Sequence, residues 1–150
     1  MNLLFDTNIL LSLAKDTRAR QTLKVINPGD EKIFASVATI GELKSIILQN
    51  NWGPRKLQSL DEILAEIIIT DINENLVNTY VEIDAFSQCR NPSYPNRSFA
   101  TPRNMGKNDL WIAATAALVG LKLVTTDADF NHLHQVFIEV QLIKPSMFTR

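Results

Sequence analysis

The sequence predicts a three-layer α/β/α domain with a central, mostly parallel sheet. Short apolar runs alternate with segments of helical periodicity along most of the chain. Its length of 150 residues suits one domain, residues 1–150, and its 45% hydrophobic and 21% charged residues are typical of a globular protein. Alternating strands and helices require parallel strands that are joined by crossovers and covered by helices on both faces.

Three short apolar runs in the first half of the chain predict strands, at residues 3–5, 32–35 and 67–69. Helices separate them. Asp6, with the two polar residues after it, predicts the cap of the first helix, because Asp is a preferred N-cap residue. Pro54 is suited to the first position of the helix before the third strand.

The second half of the chain begins with a helix around Tyr80 and ends with predicted strands at 121–125 and 136–140. An Ala-rich helix lies between them and runs from Asp109 to about Val119. This helix is apolar nearly all round, so we expect it to be central and buried.

Composition and charge exclude several classes of protein. No apolar run approaches the roughly 18 residues of a membrane span, and the N-terminus lacks the pattern of a secretory signal. Cys89 is the one cysteine, which excludes an intramolecular disulfide and a cysteine-rich zinc site. We therefore expect a cytoplasmic protein with no membrane association. The formal net charge of -1 gives no overall basic field for a nucleic acid.

Four acids occur where the predicted topology would gather them. Asp6 follows the first strand, Asp127 follows the fourth, Asp109 opens the buried helix, and Glu42 lies in the helix after the second strand. Ligands of an open parallel sheet bind beyond the carboxyl ends of its strands. We therefore expect the four carboxylates to meet at one edge of the sheet.

Each acid also has a simpler interpretation. Asp6 suits a helix cap, Asp109 complements a helix dipole, Asp127 suits a turn, and Glu42 suits a solvated helix face. The combination favours a shared site, because gathered carboxylates repel one another unless a cation offsets the repulsion.

A hard divalent cation is the expected partner of such a site. Mg²⁺ prefers carboxylate oxygen and water, and Mn²⁺ has a similar preference. The two histidines, His132 and His134, are expected at the surface near a turn, which disfavours zinc.

Four ordered segments carry a resemblance to a known family. They read LFDTNIL at 4–10, TIGEL at 39–43, NDLWIAATA at 108–116 and LVTTDADF at 123–130. In this order they resemble the motifs of PIN-domain nucleases and, among bacterial members, the VapC toxins. Asp127 and Asp129 compete for the fourth position. We prefer Asp127, which is closer to the strand end, and expect Asp129 to cap the short turn before Phe130.

The resemblance implies a magnesium-dependent endoribonuclease that leaves a 3′-hydroxyl and a 5′-phosphate. It implies that Asp6, Glu42, Asp109 and Asp127 are the catalytic, metal-binding acids. It also implies supporting roles for Thr7, Asn8, Thr126 and Asp129. The VapC toxins that the chain resembles usually form homodimers, are blocked by a VapB-like antitoxin and cut specific RNAs.

Other functions remain open or are disfavoured. A housekeeping RNA-processing nuclease, or a catalytically silent domain that binds RNA or a partner, would carry the same motifs. A phosphatase of the haloacid dehalogenase type needs a second Asp two positions after the first, where this chain has Asn8.

Residues 90–106 predict a long loop, since three prolines interrupt any periodicity there. With Lys107 the segment carries four basic residues and no acid. We expect Arg97, Arg103 and Lys107 to contact RNA phosphates, and Tyr94 and Phe99 to stack on bases. The alternatives are a solvated loop and one that packs on a dimer mate.

Overall fold

The computed structural model describes residues 1–149, and it contains a five-stranded parallel sheet in the order β3-β2-β1-β4-β5. The strands are β1 (Leu3–Phe5), β2 (Ile33–Ser36), β3 (Ile67–Thr70), β4 (Lys122–Thr125) and β5 (Glu139–Leu142). Helices cover both faces of this sheet, so the predicted fold class is confirmed.

Six α-helices are present in the described part of the chain. They are α1 (Thr7–Lys15), α2 (Ala19–Ile26), α3 (Val37–Asn50), α4 (Pro54–Leu64), α5 (Val77–Ser87) and α6 (Lys107–Val119). Short 3₁₀ turns occupy Glu74–Leu76, Ala128–Leu133 and Pro145–Met147.

Strand β1 lies at the centre of the sheet and is buried on both faces. Leu3 and Phe5 belong to the hydrophobic cluster shared with α1–α4, whereas Leu4 belongs to the cluster of α5 and α6. This alternation is the period of two that a strand imposes on its side chains. Strand order reverses at β1, which pairs with β2 on one side and β4 on the other. A crevice at such a switch point is the usual ligand site of an open α/β sheet.

Helix α6 is the buried central helix that its composition predicts. Alanines at 113, 114 and 116 are at most 1% exposed, so the backbone of α6 packs close to its neighbours. Gly120 ends the helix with a φ of 74°, a left-handed conformation that glycine adopts without a steric penalty.

Two predictions about secondary structure are wrong. The last strand is Glu139–Leu142 rather than 136–140, because residues 134–138 form a turn closed by Gln135 N–H donating to the carbonyl of Ile138 at 2.7 Å. Helix α2 was not predicted. Half of its eight residues are charged or polar, and only Thr22 and Ile26 are buried.

The loop at 90–106 is confirmed, but its aromatic residues pack inward. Phe99 is 8% exposed and meets the Phe86 ring edge-on, with centroids 5.3 Å apart. Tyr94 is half-buried between Phe86 and Phe137. The expectation that Phe99 stacks on a base is therefore wrong, because its ring is buried in the hydrophobic core, whereas base stacking by the partly exposed Tyr94 stays a prediction.

Candidate functional site

Asp6 lies in the crevice between β1 and β4, directly after the central strand. Its side chain is 4% exposed, and its Oδ1 accepts a hydrogen bond from Ile9 N–H at 3.0 Å, which caps α1. Its other oxygen, Oδ2, accepts a short hydrogen bond from the hydroxyl of Thr125. The predicted cap is therefore confirmed, and the same carboxylate also faces the end of β4.

Thr125 connects two of the four acids through one hydroxyl. Its Oγ1 donates to Asp6 and accepts from Asp127 N–H at 2.9 Å, and the residue is fully buried at the end of β4. Thr126 was predicted from the sequence, whereas Thr125 was not. The sequence shows only that Thr125 ends a predicted strand, which does not decide whether its hydroxyl or that of Thr126 faces Asp6. The role of Thr126 stays a prediction.

Asp127 begins the 3₁₀ turn that follows β4. Its Oδ1 accepts from Asp129 N–H at 2.8 Å, so Asp127 is the residue that caps this turn. The expectation that Asp129 does so is wrong, because the acceptor must precede the N–H groups that open the turn. Asp127 therefore has a fixed position beside Thr125.

Asp109 and Glu42 approach the crevice from two helices. Asp109 is the third residue of α6 and Glu42 the sixth of α3, and both are half-buried. Glu42 and Asn108, the neighbour of Asp109, line one shallow cavity of about 440 Å³. The N-terminus of α6 therefore lies against the face of α3 that carries Glu42.

The electrostatics of Asp6 indicate that the acids are close together. Burial is the largest effect and raises its pKa from 3.8 to about 6. The hydrogen bonds from Thr125 and Ile9 oppose this rise, whereas the charges of Asp127 and Glu42 add to it. A buried carboxylate among like charges is hard to ionise.

Asp109 is affected in the same way. Its pKa is raised from 3.8 to about 6, and burial is again the largest cause. The charges of four other acids add to the rise, in decreasing order Asp127, Asp6, Glu42 and Asp129. Each of the other three predicted acids therefore acts on Asp109. The structure brings the four together, and the charge of Asp129 has the smallest of these effects on Asp109.

No lysine or arginine neutralises these acids within the described residues. Among residues 1–149, one pair of oppositely charged side chains lies within 4.0 Å, and it joins His134 to Glu139, away from the crevice. The repulsion among the four carboxylates is therefore not relieved by a basic side chain of this part of the chain.

The donor set suits a hard divalent cation, but the carboxylates do not form a closed cage. Within the part of the chain that the structure describes, no group of three or more His, Cys, Asp or Glu side chains is gathered closely enough to hold a metal ion. Mg²⁺ is often held by one or two carboxylates while it keeps several waters. Oxygen donors with excess negative charge fit an ion held in that way.

The predicted supporting residues differ in their surroundings. Thr7, next to Asp6, is buried, and its hydroxyl has no hydrogen-bond partner in the described structure. Asn8 is exposed in the first turn of α1. The hydrogen bonds to the Asp6 carboxylate come from Ile9 and Thr125, so support by Asn8 stays a prediction.

His132 is not the surface residue that was expected. It is half-buried, its Nε2 is 2.7 Å from the Ser87 hydroxyl oxygen, and its ring stacks parallel to Phe86. Burial, with a smaller effect of the Arg103 charge, lowers its pKa from 6.5. Its environment differs from that of His134, which is exposed and accepts from Val140 N–H.

The three predicted substrate-binding cations are also unlike one another. Arg103 is exposed, and its guanidinium lies 5.4 Å from the Phe99 ring centroid. It lines a cavity of about 570 Å³ together with His132 and Asp129. Lys107 is exposed at the start of α6. Arg97 is half-buried, and its Nε has no hydrogen-bond partner among residues 1–149.

None of the helices in residues 1–149 combines the length and the apolar character required to cross a membrane.

Comparison with known proteins links these features to one family. The family model of the PIN domain matches residues 3–135. No curated protein sequence matches the chain.

Solved structures of similar fold come from toxin–antitoxin systems. VapBC2 from Rickettsia felis, solved with a DNA fragment from its promoter, aligns with a TM-score of 0.69 and 20% identity over 93% of this chain and 98% of that one. VapBC-1 from nontypeable Haemophilus influenzae aligns with a TM-score of 0.68 and 20% identity over 95% of this chain and 98% of that one. VapC20 from Mycobacterium tuberculosis is described as a toxin that cleaves the sarcin–ricin loop. It aligns with a TM-score of 0.59 and 16% identity over 93% of this chain and 99% of that one.

The raised pKa of Asp6 predicts how the stability of the metal-free protein depends on pH. The folded protein holds a proton on Asp6 up to a pH of about 6, whereas the unfolded chain releases it near 3.8. The contribution of Asp6 to the free energy of unfolding is therefore fully present below 3.8 and is lost as the pH rises through 6. The Asp6→Asn variant does not lose this free energy of unfolding, because asparagine has no carboxyl group to ionise as the pH rises.

We expect Asp6→Asn to be more stable than the wild type at neutral pH in EDTA, by up to about 3 kcal/mol, with a smaller difference in acid. Denaturant unfolding across this pH range measures the difference. Asp61→Asn, at an exposed acid of α4, is the control for loss of one charge. A constant Asp6→Asn difference at all pH values would refute the assignment.

Proposed function

Since the chain belongs to the PIN-domain family, we propose that it is a divalent-metal-dependent endoribonuclease of the VapC toxin type. One observation carries the proposal: four carboxylates act on one another at the crevice between β1 and β4, and no basic residue among residues 1–149 is paired with them. Such a site needs a cation, and an acidic site that holds a hard cation suits phosphodiester hydrolysis.

Each acid has a proposed role that follows from its element. Asp6 and Asp109 would hold Mg²⁺, or Mn²⁺ in its place, because burial and the neighbouring acids make their charged forms costly without a cation. Glu42 would contribute to the same metal site from α3 through a water that the ion keeps. Asp127, fixed by its hydrogen bonds to Thr125 and Asp129, would contribute through another such water, the attacking one, which it would orient.

The bound cation would supply positive charge beside the scissile phosphate and make water more acidic. Thr125 would keep the Asp6 carboxylate in one orientation by donating to Oδ2. In the proposed reaction the bond between phosphorus and the 3′ oxygen breaks, so the phosphate stays on the 5′ oxygen of the downstream fragment and the upstream fragment ends in a 3′-hydroxyl.

We expect the purified protein to cleave RNA with Mg²⁺ and to stop when EDTA is added. Asp6→Asn and Asp109→Asn should each lower the cleavage rate at least about a hundredfold, because each removes charge that holds the cation. Gel analysis of a labelled RNA measures the rates, with Asp61→Asn as the matched control. Cleavage that persists in EDTA or in Asp6→Asn would count against the mechanism.

Arg103, in the loop at 90–106, and Lys107, directly after it, are the residues that would contact the RNA phosphates on this side of the site. Both are exposed, and Arg103 lines the cavity that also contains Asp129. Arg97 is a weaker candidate because its Nε is buried.

Arg103→Gln should weaken the binding of single-stranded RNA and make its salt dependence less steep by about 0.7 in the log–log slope, as expected for one lost phosphate contact. Fluorescence anisotropy at several salt concentrations measures both. Unchanged affinity and slope would remove Arg103 from the proposed interface.

We also propose an antitoxin partner of the VapB kind. The similar structures from Rickettsia felis and Haemophilus influenzae are described as VapBC pairs. A homodimer stays a prediction of the resemblance, which sedimentation of the purified chain would test.

Induction of the chain alone should arrest bacterial growth, and Asp6→Asn should abolish the arrest because toxicity depends on cleavage. Co-expression of the small protein encoded beside it should restore growth. Growth curves measure each outcome, and normal growth with abundant wild-type protein would favour a housekeeping RNA-processing nuclease or a catalytically silent binding domain.

A further inference from the structure

A second, basic cavity lies beyond the other end of α1. Its volume is about 540 Å³, and it is formed by the end of α1, the first turn of α2 and the first turn of α4. Five of the chain's 15 lysines and arginines line it, and all five side chains are exposed: Lys15, Arg18, Arg20, Arg55 and Lys56.

The one acid in the lining, Asp16, is occupied by hydrogen bonds. Its Oδ1 accepts from the backbone N–H of Arg18 at 2.8 Å and of Thr149 at 3.2 Å. Its Oδ2 accepts from the Thr22 hydroxyl at 2.5 Å. Asp16 therefore fixes the local backbone, and it leaves the lining with a large excess of positive charge.

Two further features make this cavity a favourable place for an anion. The first turns of α2 and α4 line the cavity, so the positive ends of both helix dipoles lie at its wall, and their N-caps, Arg18 and Gly53, make no side-chain capping hydrogen bond there. Lys15 and Lys56 lie 5.8 and 5.6 Å from the ring centroid of buried Trp52, so both ammonium groups have a cation–π contact with the same ring.

We propose that this cavity binds phosphates of the RNA strand that the acidic site cuts, at nucleotides distant from the cut. This inference rests on the proposed nuclease function and names where its substrate is held. Net charge and the four acids both oppose the approach of a polyanion, so binding energy has to come from cations elsewhere.

Helix α1 joins the two sites physically. Asp6 caps its first turn and Lys15 is its last residue, so its nine residues separate the acidic and basic sites by roughly 14 Å. A short stretch of single-stranded RNA covers that distance. The three arginines suit phosphate ligands, because one guanidinium group can bind two phosphate oxygens at once.

The first measurement is RNA binding without cleavage. We compare Arg18→Gln/Arg55→Gln with a control that loses the same charge, Lys44→Gln/Lys122→Gln, whose two lysines lie outside the lining of the basic cavity. The probe is a single-stranded RNA of about 16 nucleotides in EDTA, followed by fluorescence anisotropy.

The cavity variant should bind at least about tenfold more weakly than the control, with a log–log salt slope less steep by about 1.4, as two lost phosphate contacts predict. Equal losses in both variants would mean that only net charge matters and would overturn the proposal. Arg55→Gln alone, expected to change the slope by about 0.7, serves if the double variant does not fold.

The second measurement separates this proposal from the nuclease function itself. With Mg²⁺, the cavity variant should cleave a dinucleotide at the wild-type rate, because that substrate cannot reach the basic cavity, and should cleave the long RNA about tenfold more slowly. Failure of the wild type to cleave either RNA would contradict the proposed function and leave the binding result to decide on the cavity. If the cavity variant binds RNA as tightly as the wild type does and loses only its complex with a protein partner, the cavity binds an acidic protein segment. That result would overturn the proposal.

Discussion

Mutual repulsion among carboxylates is the constraint on which this structure depends. Asp6 is buried and Asp109 half-buried, and the charges of Asp127 and Glu42 add to the effect of burial in raising the pKa of both carboxyl groups. Folding gathers negative charge and removes it from water, and both effects cost free energy. A chain keeps such an arrangement when a ligand that binds only the folded state returns that free energy.

The fold supplies the means of holding the acids against this repulsion. Strand order reverses at β1, so the ends of β1 and β4 form a crevice, and Asp6 is fixed there by the first turn of α1 and by Thr125. Asp109 lies on α6 and Glu42 on α3, and these two helices pack in different hydrophobic clusters. Rigid elements on both sides of the sheet therefore position groups that would otherwise separate.

The sequence was informative where local pattern and tertiary position agree. Asp6 both caps α1 and faces the crevice, so its position could be predicted from the cap and the preceding strand. Thr125 could not be chosen over Thr126 in this way, because only the twist and register of β4 against β1 decide which hydroxyl meets Asp6. Helix α2 escaped prediction because it is short and largely solvated. The basic cavity also depends on tertiary structure, since its cations come from three helices and from positions far apart in the chain.

The distribution of charge divides the proposed work between two sites. The acidic crevice would perform the chemistry, and the basic cavity at the other end of α1 would hold the strand. The central claim is that the four acids form one cation site, and calorimetric titration of the purified protein with Mn²⁺ at neutral pH tests it most directly. We expect saturable binding that is lost in Asp109→Asn. A wild-type protein that binds no Mn²⁺, or an Asp109→Asn variant that binds it unchanged, would contradict the account.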